Sequence, residues 1–388
     1  MSITAPQGFR AAGVTAGLKA SGNPDLALVV NDGPSKAAAA VFTSNRVAAA
    51  PVHWSREVVK DGRVDAVILN SGGANACTGP QGFQNTHTTA EKTAESLGVS
   101  ATDVFVCSTG LIGEQLPMDK IQAGIGAAST ALNPDGGADA ATAIMTTDSV
   151  SKQAVYTGMD AAGNVYTIGG MAKGAGMLAP GLATMLVVLT TDADVQPDML
   201  DVALRDATRV TFDRADSDGC MSTNDTVVLL ASAASGAVPS GVEFGKGLTQ
   251  VCAELARKLI GDAEGASHDI AIRTFNAASE RDAETVSRAV ARSNLFKTAI
   301  FGKDPNWGRV LSAVGTTDAV FEPDRLNVSM NGVQICRNGS IGEDRSLVDL
   351  EPREVIVEID LQSGDAEATI LTNDLTHDYV HENSAYSS

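Results

Sequence analysis

The stretch Met171–Thr190, MAKGAGMLAPGLATMLVVLT, changes character at the bond between Ala183 and Thr184. Before this bond the chain is rich in glycine and proline, residues that allow tight turns and close backbone approaches. After it, Met185–Leu189 is a continuous apolar run, which is typical of a strand buried on both faces. The sequence therefore predicts that a loop ends and a core strand begins at Thr184.

The position of Thr184 also suggests a chemical role. A threonine hydroxyl is a weak nucleophile until a base takes its proton, and the free α-amine of an N-terminal threonine is one such base. That amine has an ordinary pKa of about 7.7 to 8.0, so part of it is unprotonated near neutral pH. This chemistry requires cleavage of the chain before Thr184. The stretch alone leaves a second interpretation open, in which a glycine-rich loop feeds a core strand and Thr184 is merely its first residue.

The segment KGAGMLAP at 173–180, followed by ATML at 183–186, resembles the processing site of the ornithine acetyltransferase family, whose members are also called glutamate N-acetyltransferases. The resemblance runs from GFRAAG at 8–13 to NSAYSS at 383–388 and so covers nearly the whole chain. It implies that the precursor cleaves itself between Ala183 and Thr184, and that Thr184 then accepts the acetyl group. It also implies that residues 1–183 and 184–388 become two fragments of one interlocked body, and that two such pairs form a heterotetramer.

A predicted strand at Asp103–Cys107 runs directly into Ser-Thr-Gly. The resemblance implies that the Thr109 hydroxyl and the Gly110 N–H form the oxyanion hole, where donors fixed in advance stabilise the tetrahedral intermediate. The residues alone also permit ordinary turn chemistry at a strand end. Another predicted strand, Asp65–Asn70, leads into the small-residue loop at 71–79, SGGANACTG, which is either a wall of the site or purely structural.

The resemblance also implies a set of residues that bind substrate together with the nucleophile: Thr146, Thr147, Lys173, Thr184, Glu264, Asn383 and Ser388. A carboxylate at Glu264 suits the ammonium group of ornithine. Many family members end in threonine, and Ser388 retains that hydroxyl. Structural roles remain open for these positions, since helix ends need polar caps, loop carboxylates are usually solvated and chain ends normally fray.

Composition limits the partners and the compartment. The 388 residues carry a formal net charge of −19, with 44% hydrophobic and 19% charged residues. Binding to nucleic acids or acidic membranes needs a basic surface, so neither partner is expected. We find no signal peptide and no apolar stretch of about 18 residues that would span a bilayer, and we expect a cytoplasmic protein. Five scattered cysteines without a CxxC pair predict reduced, mostly buried thiols.

No metal and no cofactor are expected. The segment Asp213–Thr226 holds several carboxylates, but Gly219 falls one place late for an EF-hand loop and Asn224 stands where the closing glutamate belongs. The five histidines show no ligand spacing and receive no catalytic role. A second family signature, KTAIFGKDPNWGR at 297–309, places Asp-Pro-Asn before a helix, and we interpret it as structural.

The predicted fold class is α/β, a sandwich of β-sheets and helices of the self-cleaving ornithine acetyltransferase type. Helices are predicted at Met118–Leu132 and Pro197–Phe212. Alternating residues predict a hairpin of Gln153–Met159 and Asn164–Gly170, which leads into a loop carrying Lys173.

The predicted reaction is acetyl transfer by double displacement. Thr184 takes the acetyl group from N2-acetyl-L-ornithine and passes it to L-glutamate, giving L-ornithine and N-acetyl-L-glutamate in cyclic arginine biosynthesis. Two other classes remain open: a self-processing amidase or aminopeptidase with an N-terminal nucleophile, which delivers the acyl group to water, and a binding protein that needs no cleavage. No motif decides whether acetyl-CoA is also a donor.

Overall fold

The computed structural model describes residues 3–179 and 185–385. The predicted cleavage site at Ala183 and Thr184 and the terminal Ser388 lie outside the described residues. The chain divides into two compact units. The first unit comprises Met1–Met177, Gly181–Asp213 and Cys220–Leu259, and the second comprises Leu178–Pro180, Arg214–Gly219 and Ile260–Ser388.

The first unit contains two β-sheets and six α-helices in its described part. Its strands are β1 (Phe9–Val14), β2 (Leu26–Asn31), β3 (Ala37–Phe42), β4 (Ala66–Ser71), β5 (Val104–Thr109), β6 (Lys152–Met159), β7 (Val165–Lys173), β8 (Leu186–Thr191) and β9 (Thr226–Ala231). Its helices are α1 (Ala50–Val58), α2 (Gly79–Leu97), α3 (Met118–Ala131), α4 (Gly137–Ala143), α5 (Pro197–Val210) and α6 (Gly241–Gly261). The last two residues of α6 belong to the second unit.

One sheet has the strand order β1-β2-β4-β5, and the other has the order β3-β9-β8-β7-β6. Within the first sheet β4 and β5 are parallel, so their carboxyl ends lie at the same edge. Within the second sheet β8 is parallel to β9 and antiparallel to β7. Strands β2 and β3, which are neighbours in the sequence, belong to different sheets, so the turn between them connects the two layers.

Strand β8 shows how the layers pack. Leu186 and Val188 belong to an apolar cluster that also contains residues of the first sheet, whereas Val187 and Leu189 belong to a cluster with α5 and α6. Successive side chains of a strand point to opposite faces, so β8 is covered on one face by the other sheet and on the other face by helices. A further cluster joins the outer face of the first sheet to α2 and α3. The first unit is therefore a helix–sheet–sheet–helix sandwich.

The second unit is one six-stranded sheet with helices. Its strands, in the order β13-β12-β11-β14-β10-β15, are β10 (Asp269–Ala277), β11 (Asn327–Met330), β12 (Val333–Arg337), β13 (Ser340–Ile341), β14 (Glu354–Asp360) and β15 (Ala366–Asn373). Its helices are α7 (Glu280–Ala291), α8 (Asn294–Phe301), α9 (Trp307–Val314) and α10 (His377–Ala385). The side chain of Asn306 accepts a hydrogen bond from the Arg309 N–H at the start of α9, which agrees with the structural interpretation of the second signature.

The structure confirms the α/β sandwich and most of the predicted elements, with one correction at the site. Lys173 lies in strand β7 and not in a loop, because its backbone pairs with Leu186 of β8 in the sheet. Of the five cysteines, Cys77 and Cys220 are exposed and the other three are buried thiols. Among the described residues, no helix is long and apolar enough to cross a membrane.

Candidate active site

The predicted oxyanion residues lie at the carboxyl end of β5, the edge where ligands bind in many α/β sheets. Thr109 is the last residue of the strand and is almost fully buried. Its carbonyl accepts hydrogen bonds from the N–H groups of Gly72 and Gly73, at 2.9 and 3.0 Å. The small-residue loop that follows β4 therefore packs directly against Thr109.

Gly110 is fixed by the same loop. Its φ of 131° is a conformation that side chains rarely adopt, and a Cβ atom here would lie 2.6 Å from the backbone nitrogen of Gly73. Only glycine fits at this position. The backbone of the predicted oxyanion hole thus packs closely against the Gly72–Gly73 backbone.

Lys173 ends strand β7 and is buried beside Thr109. Its Nζ atom donates a hydrogen bond to Thr109 Oγ1 at 3.4 Å. Because the lysine is the donor in this contact, the hydroxyl proton of Thr109 remains available for another acceptor. The structure thus brings together three of the predicted site residues, Thr109, Gly110 and Lys173.

A buried carboxylate, Asp148, connects Lys173 to the predicted substrate residues. It accepts hydrogen bonds from Lys152 Nζ at 2.6 Å, from the Gly174 N–H at 2.7 Å and from the Thr146 N–H at 2.9 Å. Burial alone would raise the pKa of Asp148, but the ammonium groups of Lys173 and Lys152 and the Gly174 N–H outweigh it and lower the pKa to about 2. Asp148 is therefore ionised at neutral pH.

Thr146 and Thr147 form a bend shortly after α4, which ends at Ala143. Thr146 is half-buried and Thr147 is exposed, so Thr146 is the one held against Asp148. The carbonyl of Met145 accepts a hydrogen bond from Lys19 Nζ at 2.7 Å, which anchors the start of this bend. Burial lowers the pKa of Lys19, and the nearby Lys173 ammonium lowers it further.

Sequence reasoning missed the roles of Asp148 and Lys152. Part of the signal was present, since Asp148 directly follows the two threonines named from the resemblance and Lys152 lies four residues further on. The other charge partner, Lys173, comes close to Asp148 only in the fold. Asn224 was missed in the same way. Its Nδ2 donates to the Ser108 carbonyl at 2.8 Å and to the Ala74 carbonyl at 2.6 Å, which ties the end of β5 to the site-wall loop.

The remaining described candidates, Glu264 and Asn383, belong to the second unit. Glu264 is half-buried and lines a cleft of about 190 Å³ together with Asp218, Lys297 and Tyr379. Next to it, Gly265 is pressed onto the start of α10: a Cβ atom at this glycine would lie 2.2 Å from the Tyr379 nitrogen. The loop that carries Glu264 and helix α10 are therefore neighbours within this unit.

Asn383 lies on α10 with an exposed side chain, and its Nδ2 donates to the Tyr379 carbonyl at 3.0 Å. Lys297 forms the floor of the cleft. Its ammonium donates to the carbonyls of Ser217 and Asn373 and to the Thr372 hydroxyl. Burial lowers the pKa of Lys297 to about 8 against the opposing effect of nearby aspartates. Lys297 therefore ties the end of β15 to the loop at 217–219, which gives its signature a structural role.

His268 is also structural in this unit. Its Nδ1 atom lies 2.8 Å from Asp374 Oδ2, and its Nε2 atom lies 3.1 Å from the Leu350 carbonyl. No group of three or more metal-ligating side chains occurs among the residues that the structure describes.

Comparison with known proteins identifies the family. The ArgJ family profile matches residues 10–388. The chain belongs to the ArgJ family. It is 65% identical over its full length to the full-length "Arginine biosynthesis bifunctional protein ArgJ" of Streptomyces coelicolor, and 55% identical to the protein of the same name from Mycobacterium leprae, covering all of this chain and 96% of that protein.

A solved structure of a Mycobacterium tuberculosis ornithine acetyltransferase complexed with ornithine is 54% identical to this chain. The match covers 48% of this chain and 96% of that one, with a TM-score of 0.43. The predicted family and the predicted enzyme class, an acetyltransferase of arginine biosynthesis, are confirmed by the ArgJ relatives. The roles of individual residues stay predictions.

Proposed function

We propose that this ArgJ-family chain transfers the acetyl group of N2-acetyl-L-ornithine to L-glutamate, with Thr184 as the nucleophile after self-cleavage between Ala183 and Thr184. The observation that carries the proposal is the geometry at the end of β5. A buried threonine hydroxyl, a glycine that cannot be replaced and a buried lysine meet there, close to the strand that follows Thr184. This arrangement suits stabilisation of negative charge on a reacting oxygen.

The proposed reaction has two halves. Thr184 Oγ attacks the acetyl carbonyl while the α-amine of Thr184 takes the hydroxyl proton. The tetrahedral oxygen accepts hydrogen bonds from Thr109 Oγ1 and the Gly110 N–H. The intermediate then collapses, the amine passes its proton to the leaving nitrogen, and ornithine departs from an acetyl-threonine ester. Glutamate reverses these steps with its own amino group and leaves as N-acetyl-L-glutamate, so no cofactor is required.

Lys173 supports this chemistry through its charge. Its ammonium lies against the Thr109 hydroxyl and interacts with the ionised Asp148, which lowers the cost of keeping this cation buried. We propose that Lys173 also attracts the carboxylate of either amino-acid substrate. We propose that Thr146, Thr147, Glu264, Asn383 and Ser388 also bind substrate, and that the Glu264 carboxylate pairs with the side-chain ammonium of ornithine.

The experiment is an assay of acetyl transfer with and without glutamate. Incubation with N2-acetyl-L-ornithine should give N-acetyl-L-glutamate only when glutamate is present, with little free acetate. Rapid acetate release regardless of glutamate would favour the amidase alternative. Failure of both reactions, together with an uncut chain on a denaturing gel, would favour a binding protein.

A pair of matched variants tests the role of Thr109. Thr109→Val removes the hydroxyl with almost no change in shape, and loss of one oxyanion donor lowers kcat by about 10²- to 10³-fold. Thr190→Val is the control, because Thr190 is equally buried in the same unit and its hydroxyl donates to the Ile3 carbonyl. Similar kcat values for both variants would remove Thr109 from the oxyanion hole.

We also propose that acetyl-CoA is a second donor, which makes the chain bifunctional. The support is the name of its relatives, several of which are called bifunctional at 53 to 65% identity over the full chain. Incubation with acetyl-CoA and glutamate should form N-acetyl-L-glutamate and free CoA. If neither product forms in an enzyme that is active with acetylornithine, the chain uses one donor.

Finally, we propose that residues 1–183 and 184–388 form one interlocked body and assemble as a heterotetramer of two pairs. Strands β7 and β8, which flank the proposed cut, pair along one sheet, and this pairing would hold the fragments together. Size-exclusion chromatography with light scattering, followed by a denaturing gel, would test this. A molar mass of one chain would refute the tetramer, and one full-length band would refute the fragments.

A further inference from the structure

Lys19 is a half-buried lysine in the segment between strands β1 and β2. Its ammonium donates hydrogen bonds to two neutral acceptors, the carbonyls of Pro24 and Met145, at 2.8 and 2.7 Å. An ammonium group carries three N–H donors, so one remains beyond these two bonds. Within the described part of the chain, this third donor has no acceptor and the ammonium forms no ion pair.

The backbone next to Lys19 packs against the loop of the proposed oxyanion hole. A Cβ atom at Gly72 would lie 2.9 Å from Leu18 Cβ, so the two residues are in close contact. The Gly72 N–H donates to the Thr109 carbonyl at 2.9 Å, and a Cβ atom at Gly110 would lie 2.9 Å from the Gly72 carbonyl carbon. The residue before Lys19 thus contacts the loop that holds Thr109 and Gly110.

The ammonium of Lys19 lies beside the predicted substrate threonines. Its acceptor Met145 directly precedes Thr146, whose N–H donates to the Asp148 carboxylate at 2.9 Å. The same carboxylate interacts with the Lys173 ammonium. Lys19 therefore lies on the same side of the first unit as the proposed oxyanion hole, the threonine bend and the buried lysine, and substrate can reach it because its side chain is only half-buried.

The charges around Lys19 favour an anionic ligand. Burial lowers the pKa of Lys19, and the nearby Lys173 ammonium lowers it further, whereas the carboxylates of Asp25 and Asp148 oppose this change. A ligand carboxylate that accepts from the third N–H would place a negative charge against Lys19 and offset the repulsion from Lys173.

The position of Lys19 is fixed by a buried carboxylate. Asp25 is fully buried and accepts hydrogen bonds from three backbone N–H groups, those of Ala16, Leu18 and Lys19, at 2.6, 2.5 and 3.1 Å. The backbone and the ammonium of Lys19 are thus both held before a ligand binds, which lowers the entropy that binding would cost.

We propose that Lys19 binds the α-carboxylate that N2-acetyl-L-ornithine and L-glutamate share, through the third N–H of its ammonium. This role rests on the proposed function, which supplies the two substrates. In both of them the α-carboxylate is attached to the carbon that bears the reacting nitrogen, so it lies only a few bonds from the acetyl group at Thr109 and Gly110. Lys19 is a substrate-binding residue in both halves of the reaction and takes no part in the proton transfers.

The first experiment compares two acetyl donors in wild type and Lys19→Met, with glutamate as acceptor. N-Acetylputrescine is N2-acetylornithine without its α-carboxylate, so it cannot form the proposed bond. In the wild type its kcat/KM should be lower by about tenfold or more, since a hydrogen bond between two charged groups is lost. Lys19→Met should lose a similar factor with acetylornithine and little with N-acetylputrescine, because the bond is already missing there. An equal loss with both donors would indicate a structural role and overturn the proposal.

Lys120→Met is the matched control. Lys120 on α3 is exposed, and its ammonium donates to the Gly17 carbonyl at 2.6 Å, so it also ties the segment between β1 and β2 to the rest of the unit. This variant should match the wild type with both donors. If Lys120→Met changes the ratio of the two kcat/KM values as Lys19→Met does, the ratio reports the backbone of this segment and the proposal is wrong.

The second experiment is a crystal structure of the wild-type enzyme with ornithine bound. The proposal requires Lys19 Nζ to lie within about 3.2 Å of an oxygen of the ornithine carboxylate, and a longer separation would overturn it. This distance decides alone if Lys19→Met does not fold or if N-acetylputrescine gives no measurable rate. Failure of the wild type to transfer acetyl from acetylornithine to glutamate would contradict the proposed function itself, whereas transfer with an unchanged donor ratio in Lys19→Met would contradict only the role of Lys19.

Discussion

The buried charge cluster of Asp148, Lys152 and Lys173 yields a quantitative prediction for Asp148→Asn. The pKa of Asp148 is about 2 against an ordinary value of 3.8, and each pKa unit corresponds to 1.36 kcal/mol. The folded protein therefore favours the ionised form by about 2 kcal/mol. Asparagine keeps the shape but leaves two buried ammonium groups without their anion, and breaking such a pair costs about 3 to 5 kcal/mol.

The assay is urea unfolding of the purified enzyme at pH 7. We expect Asp148→Asn to lower the free energy of unfolding by about 3 to 5 kcal/mol, and Asp192→Asn by about 1.5 kcal/mol, because Asp192 binds two backbone N–H groups. The double variant with Asp148→Asn and Lys152→Met should lose about 2 kcal/mol less free energy of unfolding than the sum of the losses in the two single variants. Additive changes, or equal effects of the two aspartate variants, would refute the ion-pair account.

The pH dependence has a defined sign. Because the folded pKa of Asp148 is lowered, its stabilisation is fully present above the ordinary pKa of 3.8 and is lost as the pH falls through about 2. The stability difference between wild type and Asp148→Asn should therefore narrow by about 2 kcal/mol between pH 4 and pH 2. A difference that stays constant over this range would show that Asp148 acts through its shape and not through its charge.

Three further predictions concern catalysis. Initial rates at several glutamate concentrations should give parallel double-reciprocal lines, because ornithine leaves before glutamate reacts; intersecting lines would mean that both substrates bind together. Gly110→Ala should lower kcat at least 100-fold, since a Cβ atom would lie 2.6 Å from the Gly73 nitrogen, whereas Gly126→Ala, where nothing lies within 4 Å, should match the wild type. Glu264→Gln should raise the KM for acetylornithine about tenfold with little change in kcat; an unchanged KM would exclude contact with the substrate ammonium.

Much of the fold could be predicted because the strands carry strong local signals. The run after Thr184 is apolar at successive positions, and the structure buries β8 on both faces. The predicted strand ended at Gly170, and Lys173 was misplaced in a loop because Gly174 and Gly176 follow it closely. The strand continues to Lys173 because β6 and β8 pair with β7 on both sides, a long-range effect that local pattern does not contain.

The charge balance of the site could not be predicted for a related reason. Asp148 and Lys173 are separated by an entire hairpin in the sequence, and only the fold brings their charges close enough to interact. Asp225 was considered only as part of a candidate metal loop, although its Oδ1 accepts a hydrogen bond from the N–H of Met185, directly before strand β8. Local motifs indicated the strand ends that build the site, whereas the buried ionic and polar partners required the tertiary structure.

The central claim is that Thr184 both cuts the chain and carries the acetyl group. It is tested most directly by intact-mass analysis of the wild type and of Thr184→Ala after brief incubation with N2-acetyl-L-ornithine in the absence of glutamate. The wild type should appear as residues 1–183 and 184–388, with one acetyl group added to the second fragment, and Thr184→Ala should remain a single chain without an acetyl group. An uncut wild-type chain, or an acetylated Thr184→Ala chain, would contradict the account.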